Sequence, residues 1–258
     1  MASPGSAKSP ESMDIPARAR RLAKRLSALP EPAMRRSVMA DFMRTRPLEE
    51  QVDMLAIVLR RGRAGGPPFH LALDAFVHAL AAPECVPYER QCDLYACAKE
   101  RGHEDLAQLF LSAVEGPQAD ERALGRALAL RGRPLTLGER KQLARGGRRD
   151  LLERLLRDPD PSVIRLLLDN PKLTEPDVVL IAARRPTHPE IQREIFAARR
   201  WIARYRVKRT LVLNPYTPTD LAVRLLGFLT ASDLAEVAAD AELSTAVRTA
   251  ARTLAAAG

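Results

Sequence analysis

Val163-Ile-Arg165-Leu-Leu-Leu-Asp-Asn170-Pro171 and Val207-Lys-Arg209-Thr-Leu-Val-Leu-Asn214-Pro215 are one phrase written twice, at an offset of 44 residues. Each copy opens on Val-x-Arg, continues through apolar residues and stops at Asn-Pro. The residue before a proline avoids helical angles, so Asn-Pro marks the end of a helix. A threonine follows a few residues later and starts the next one. Arg184-Arg185-Pro186 followed by Thr187 is a degenerate copy of the same joint, with Arg in place of Asn. Val247-Arg248 is a worn third copy of the helix that bears the Val-x-Arg element.

The helix starts repeat as well. Thr136-Leu-Gly-Glu139, Thr174-Glu-Pro-Asp177, Thr187-His-Pro-Glu190, Thr217-Pro-Thr-Asp220 and Thr230-Ala-Ser-Asp233 all read as Thr, two residues, then an acid. Such a threonine caps a free amide of the first helical turn, and the acid reaches back or favours the positive helix end. Upstream, Leu22, Leu26 and Leu29 stripe a helix in the segment from Ile15. Val52, Leu55, Ile57 and Leu59 stripe another after Pro47, and Phe69, Leu73, Phe76, Val77 and Leu80 a third after Pro67 and Pro68. Ala, Leu, Arg and Glu dominate, and long alternating β-branched runs are missing. The 20 prolines are placed for first turns, where no donor is lost.

Helix pairs with tight joints and a period in the forties predict an all-α chain whose second half is an α-solenoid of antiparallel helix pairs. In Asp158-Pro-Asp-Pro-Ser-Val163-Ile-Arg165, Asn170-Pro171 and Val207-Lys-Arg209 with Asn214-Pro215, residues 147–258 resemble HEAT-type repeats and, in the joints, the bacterial leucine-rich-repeat-variant family. The resemblance implies a protein-binding scaffold, since such families typically serve that role. A few HEAT-like members hold nucleic acid on a basic concave face, and some leucine-rich-repeat-variant proteins carry a cysteine-bound iron–sulfur cluster ahead of the repeats. The expected organisation is a disordered tail over 1–13, a helical N-terminal region over 14–116 without an alignable repeat, and the repeats over 117–258. Gly62 to Pro68 is the loosest linker inside the N-terminal region, and Gly116-Pro117 and Gly146-Gly147 are further joints.

Composition bounds the function classes. With 46% apolar and 28% charged residues among 258, the chain is globular, and 4% aromatics disfavour a sandwich or barrel. No stretch approaches ~20 uninterrupted apolar residues, so no membrane span is expected. The start lacks a secretory pattern and three cysteines suit a reducing compartment, so a cytoplasmic bacterial protein is expected. The net charge of +9 favours an acidic partner, although only 6 of the 41 basic residues are Lys, the bias of a GC-rich genome. Local clustering is therefore what counts.

Candidate chemistry is sparse. His70, Asp74 and His78 share one helix face at i, i+4 and i+8, but about 12 Å of axial rise separates the two imidazoles, so one ion cannot reach both. The alternative is a polar flank with an Asp–His hydrogen bond. Cys85, Cys92 and Cys97 form no C-x-x-C pair, and an all-cysteine cluster needs four thiolates, so they are expected in the core. This departs from the iron–sulfur members of the resembled family. No nucleophile elbow, zinc-peptidase signature, phosphate-cradling loop or dinucleotide fingerprint occurs. The expectation is a non-catalytic protein with no cofactor, no metal and no evident small-molecule substrate.

What remains is a basic segment. Nine cations between Arg184 and Arg209 face only Glu190 and Glu194, a net +7. Within the helix expected around Trp201, Arg200, Arg204 and Lys208 fall at i, i+4 and i+8 and form one stripe, with Trp201 and Tyr205 on an i, i+4 edge beside it. Cations bordered by aromatics suit an acidic protein or stacked nucleotides; the alternatives place Trp201 and Tyr205 in the core and Arg165 and Arg209 in a ladder with acids such as Asp158 or Asp177. The candidate contact residues are Arg184, Arg185, Arg199, Arg200, Trp201, Arg204, Tyr205 and Lys208, with a protein partner expected ahead of nucleic acid. Arg18, Arg20, Arg21, Lys24 and Arg25 on the first helix are a second basic run.

Overall fold

The computed structural model describes residues 14–110, 124–130, 132–146 and 148–257. Gly116-Pro117, Gly147 and the expected tail over 1–13 lie outside them. The chain is all-α: the described residues form sixteen helices and one short hairpin. It divides into two compact units, Met1–Phe110 and Leu111–Gly258.

The first unit is built on α1 (Ile15–Ser27), α2 (Pro32–Thr45), α3 (Leu48–Arg63), α4 (Phe69–Leu80), α5 (Tyr88–Glu100) and α6 (Glu104–Leu109). Apolar residues cover α4 almost all round, which suits a helix surrounded by others. It packs on α1, α2 and α3, and Leu73, Phe76, Val77 and Ala79 have no exposed surface. Gly62 permits the close approach of α3 to α4, because a Cβ there would lie 2.8 Å from that of Leu73. Proline stands in the first turn of both α1 and α2, as its missing donor dictates.

The second unit opens with a hairpin, β1 (Ala129–Leu130) against β2 (Arg133–Pro134), paired Ala129 to Pro134 and Leu130 to Arg133. Its helices are α7 (Leu137–Gly146), α8 (Arg149–Leu155), α9 (Pro161–Leu168), α10 (Glu175–Ala183), α11 (Pro189–Ala197), α12 (Arg199–Ile202), α13 (Tyr205–Val212), α14 (Thr219–Leu226), α15 (Ala231–Ala239) and α16 (Thr245–Ala256). α7 packs on α9, α9 on α11, α10 on α13, and α14 on α16.

Both Asn-Pro joints have the same construction. Each asparagine is buried, and its side-chain oxygen accepts from the amide two residues on, Lys172 at 2.9 Å and Tyr216 at 3.0 Å. Each Nδ2 then donates to the carboxyl end of a neighbouring helix, Asn170 to Ala144 O at 2.7 Å and Asn214 to Ala182 O at 2.7 Å and Arg184 O at 2.9 Å. Those carbonyls belong to final helical turns and have no partner within their own helix. The asparagine thus ends one helix and caps another.

Of the five threonine-to-acid starts, three cap as expected. Thr136, Thr174 and Thr230 exchange hydrogen bonds with Glu139, Asp177 and Asp233. The other two do not. His188 caps α11 instead, accepting from Glu190 N at 3.2 Å, and Thr187 is buried behind it. Thr217 donates to Leu211 O at 2.7 Å, closing the end of α13 while α14 begins at Thr219.

The acids of these motifs, capping or not, also receive arginines from other elements. Arg149 grips Asp177 through both oxygens at 2.6 Å, Arg209 meets Asp233 at 2.8 Å, and Arg193 approaches Asp220 at 3.6 Å. The ladder expected of Arg209 with Asp158 or Asp177 is therefore corrected, because Arg140 and Arg149 already occupy those two acids. The Arg149 guanidinium and the capping bonds hold the Asp177 carboxyl down at about 2, below its ordinary 3.8. A depressed carboxyl contributes stability above its unfolded value, and that contribution disappears as pH falls through the folded one. Between pH 4 and pH 2, Asp177→Asn is therefore expected to flatten the loss of stability seen in urea titrations; an unchanged slope would contradict this role.

Candidate partner-binding site

The basic segment does not form one surface. α12 ends at Ile202, and the extended Arg204 then caps a new helix at Tyr205, so the stripe of Arg200, Arg204 and Lys208 is broken. Trp201 and Val207, on either side of the break, are both buried. Trp201 is 3% exposed and its indole Nε1 donates to Leu168 O at 2.7 Å, so it caps α9 from within the core. Arg200 stacks over that ring at 4.3 Å from its centroid. Lys208 is 3% exposed, with its ammonium 4.2 Å from the Phe228 ring centre, and cannot reach a partner. Tyr205 is exposed rather than core, and its hydroxyl bonds Asp233. Arg199 is half-buried; Arg204 and Arg206 are exposed.

Arg184 and Arg185 lead elsewhere. They line a groove of about 730 Å³ between α8 and α10, with Arg149, Arg157, Glu153 and Leu180. Arg184 donates to the carbonyls of Arg157 at 2.6 Å and Asp158 at 3.1 Å, and burial lowers its pKa. Its guanidinium passes Gly125, which has a φ of +95° and whose missing Cβ would lie 2.9 Å from Nη2. Arg185 is held by Glu242 and Leu213 O, both at 2.5 Å. Arg157 is exposed and its side chain meets no partner among the described residues.

Leu180 stands in this groove with 62% of its surface exposed, the largest exposure among the large apolar residues described. A second hollow of about 510 Å³ continues along α8, sharing Glu153 and Arg157 and adding Arg126 and Arg154. The site therefore offers an apolar step flanked by guanidinium groups, which suits a leucine-class side chain next to carboxylates. It contains no arrangement of nucleophile, base and oxyanion donors.

Leu180, Arg149 and Arg157 were not singled out from sequence. α10 is apolar on nearly every position from Val178 to Ala183, so its pattern does not reveal which leucine faces outward. In the first unit, sequence also missed a cluster at the start of α6. Arg101 grips Asp53 at 2.8 and 2.6 Å, and His103 Nε2 lies 3.0 Å from the same carboxylate. Burial raises the Asp53 pKa, but the hydrogen bonds from Arg101 and His103 more than offset that and hold it below the ordinary range. His78 is buried and faces Asp74 at 3.5 Å, the polar-flank arrangement. The cysteines do not all enter the core: Cys97 is buried, Cys85 half-buried and Cys92 exposed.

Comparison of the chain with protein families, with curated proteins and with solved structures gives no match. Among the described residues, no helix is long and apolar enough to cross a membrane.

Proposed function

We propose that the second unit is a non-catalytic α-solenoid of the HEAT and leucine-rich-repeat-variant kind, which binds an acidic segment of a partner protein along the groove between α8 and α10. The equivalent settings of Asn170 and Asn214 support the repeat. The observation that carries the binding role is Leu180, exposed between Arg149, Arg157, Arg184 and Arg185. Covering a leucine is worth roughly 1.5–3 kcal/mol, and Arg157, the one of the four guanidinium groups not engaged within the unit, selects for a carboxylate.

The full chain, immobilised and exposed to nuclease-treated lysate of its native cell, is expected to retain a protein. Leu180→Glu and Arg157→Glu are each expected to weaken retention at least about tenfold, which corresponds to ~1.4 kcal/mol. Arg206→Glu, exposed and outside the groove, is expected to leave it unchanged. Equal retention by all three variants would remove the groove from the proposal, and retention abolished by nuclease would remove the protein partner.

A further inference from the structure

α1 carries Arg18, Arg20, Arg21, Lys24 and Arg25 and no carboxylate within its 13 residues. Its inner side, Ala19, Ala23 and Leu26, has no exposed surface, so the helix is fixed in rotation and its cations are held outward. Arg18 is paired with Glu50. Arg20, Arg21, Lys24 and Arg25 are exposed, and none of the four meets a carboxylate among the described residues. Arg46, beyond the end of α2, joins Arg18, Arg21 and Arg25 around a cleft of about 340 Å³, which Asp41 and Glu50 also line, so four cations face two carboxylates there.

Exposed arginines without a carboxylate also occur in the second unit, Arg157, Arg204 and Arg206 among them. What distinguishes α1 is that four such cations lie on one helix within six residues.

We propose that the exposed face of α1, with Arg46, is a binding surface for the phosphate backbone of double-stranded nucleic acid. A helix of this length spans about 20 Å, and a duplex presents one charge per ~1.7 Å of its axis. The chemistry favours the duplex over other polyanions. Besides its four unpaired cations, the exposed positions of α1 are Pro16 and Ser27, so an acidic protein would find no apolar anchor there. A lipid surface would need an apolar face to insert, and that face is buried in the unit's own core. A single strand would need an aromatic platform, and Phe42, the aromatic that lines the cleft, is 7% exposed. This surface lies in the first unit and does not depend on the groove beside Leu180.

Binding of a short random-sequence duplex DNA to the full chain, followed by fluorescence anisotropy, tests the proposal. Five neutralised phosphates, four on α1 and one at Arg46, give a slope of about −4.5 in log affinity against log salt, or on the order of 500-fold weaker binding at 200 mM than at 50 mM. The fourfold variant Arg20→Ala, Arg21→Ala, Lys24→Ala and Arg25→Ala is expected to bind at least about tenfold more weakly at low salt, with a slope of about −0.9, the share of Arg46. Its circular dichroism is expected to match that of the unaltered chain, because none of the four side chains enters the core. Arg157→Glu, in the second unit, is expected to leave the DNA affinity unchanged. An unaltered slope in the fourfold variant, tighter binding of the single strand, or preference for anionic phosphatidylserine vesicles over duplex would each overturn the assignment.

Discussion

Trp201→Ala is expected to destabilise the chain by about 4 kcal/mol, since truncating a buried Trp costs 3–5. The residue fills the space under Arg200 and supplies the donor that ends α9, with its Nε1 2.7 Å from Leu168 O. Removing it opens a cavity and leaves a buried carbonyl unpaired. For a domain of this size the melting temperature falls by roughly 2–4 °C per kcal/mol, so a drop on the order of 10 °C is expected in a thermal scan. Trp201→Phe separates the two contributions. It keeps most of the volume and loses the donor, and should cost about 1–3 kcal/mol. A melting temperature unchanged by the alanine variant would contradict a core role.

Asp158→Ala is expected to have a similar effect for a different reason. The Asp158 side chain has no exposed surface, and the Arg140 guanidinium pairs with it at 10% exposure. Taking away one partner strands a buried charge, which costs about 3–5 kcal/mol, whereas replacing both with apolar groups is often neutral. Urea denaturation should therefore show Asp158→Ala far below the unaltered chain and the double variant Arg140→Leu with Asp158→Leu restoring most of the loss. A double variant as unstable as the single one would show that the pair itself, rather than the stranded arginine, sustains this part of the unit.

The joints were legible because they are local. Proline fixes what its predecessor can do, and an asparagine in front of it has one side chain with which to satisfy a neighbouring helix end. Asn170 and Asn214 follow from that. Helix starts were legible only where no second acceptor competes: Thr174 and Thr187 precede the same Pro-acid pair, yet the imidazole of His188 takes the cap that Glu175 leaves to Thr174. The interruption at Ala203 and Arg204 carries no Gly or Pro, so no residue type marks it in the sequence. Arginine partners were not legible either. Arg149 and Asp177 are 28 residues apart, and charge alone does not say which acid each guanidinium reaches. The basic segment consequently read as a surface, while much of it is spent inside the unit.

The paired asparagines also say how such a chain can grow. Because Asn170 and Asn214 present the same amide to the same kind of helix end, the stretch from Pro171 to Asn214 begins just past one coupling and finishes on the next. On the repeat architecture proposed above, an in-frame duplication of that stretch would bring its own coupling with it, so that length changes by whole cassettes.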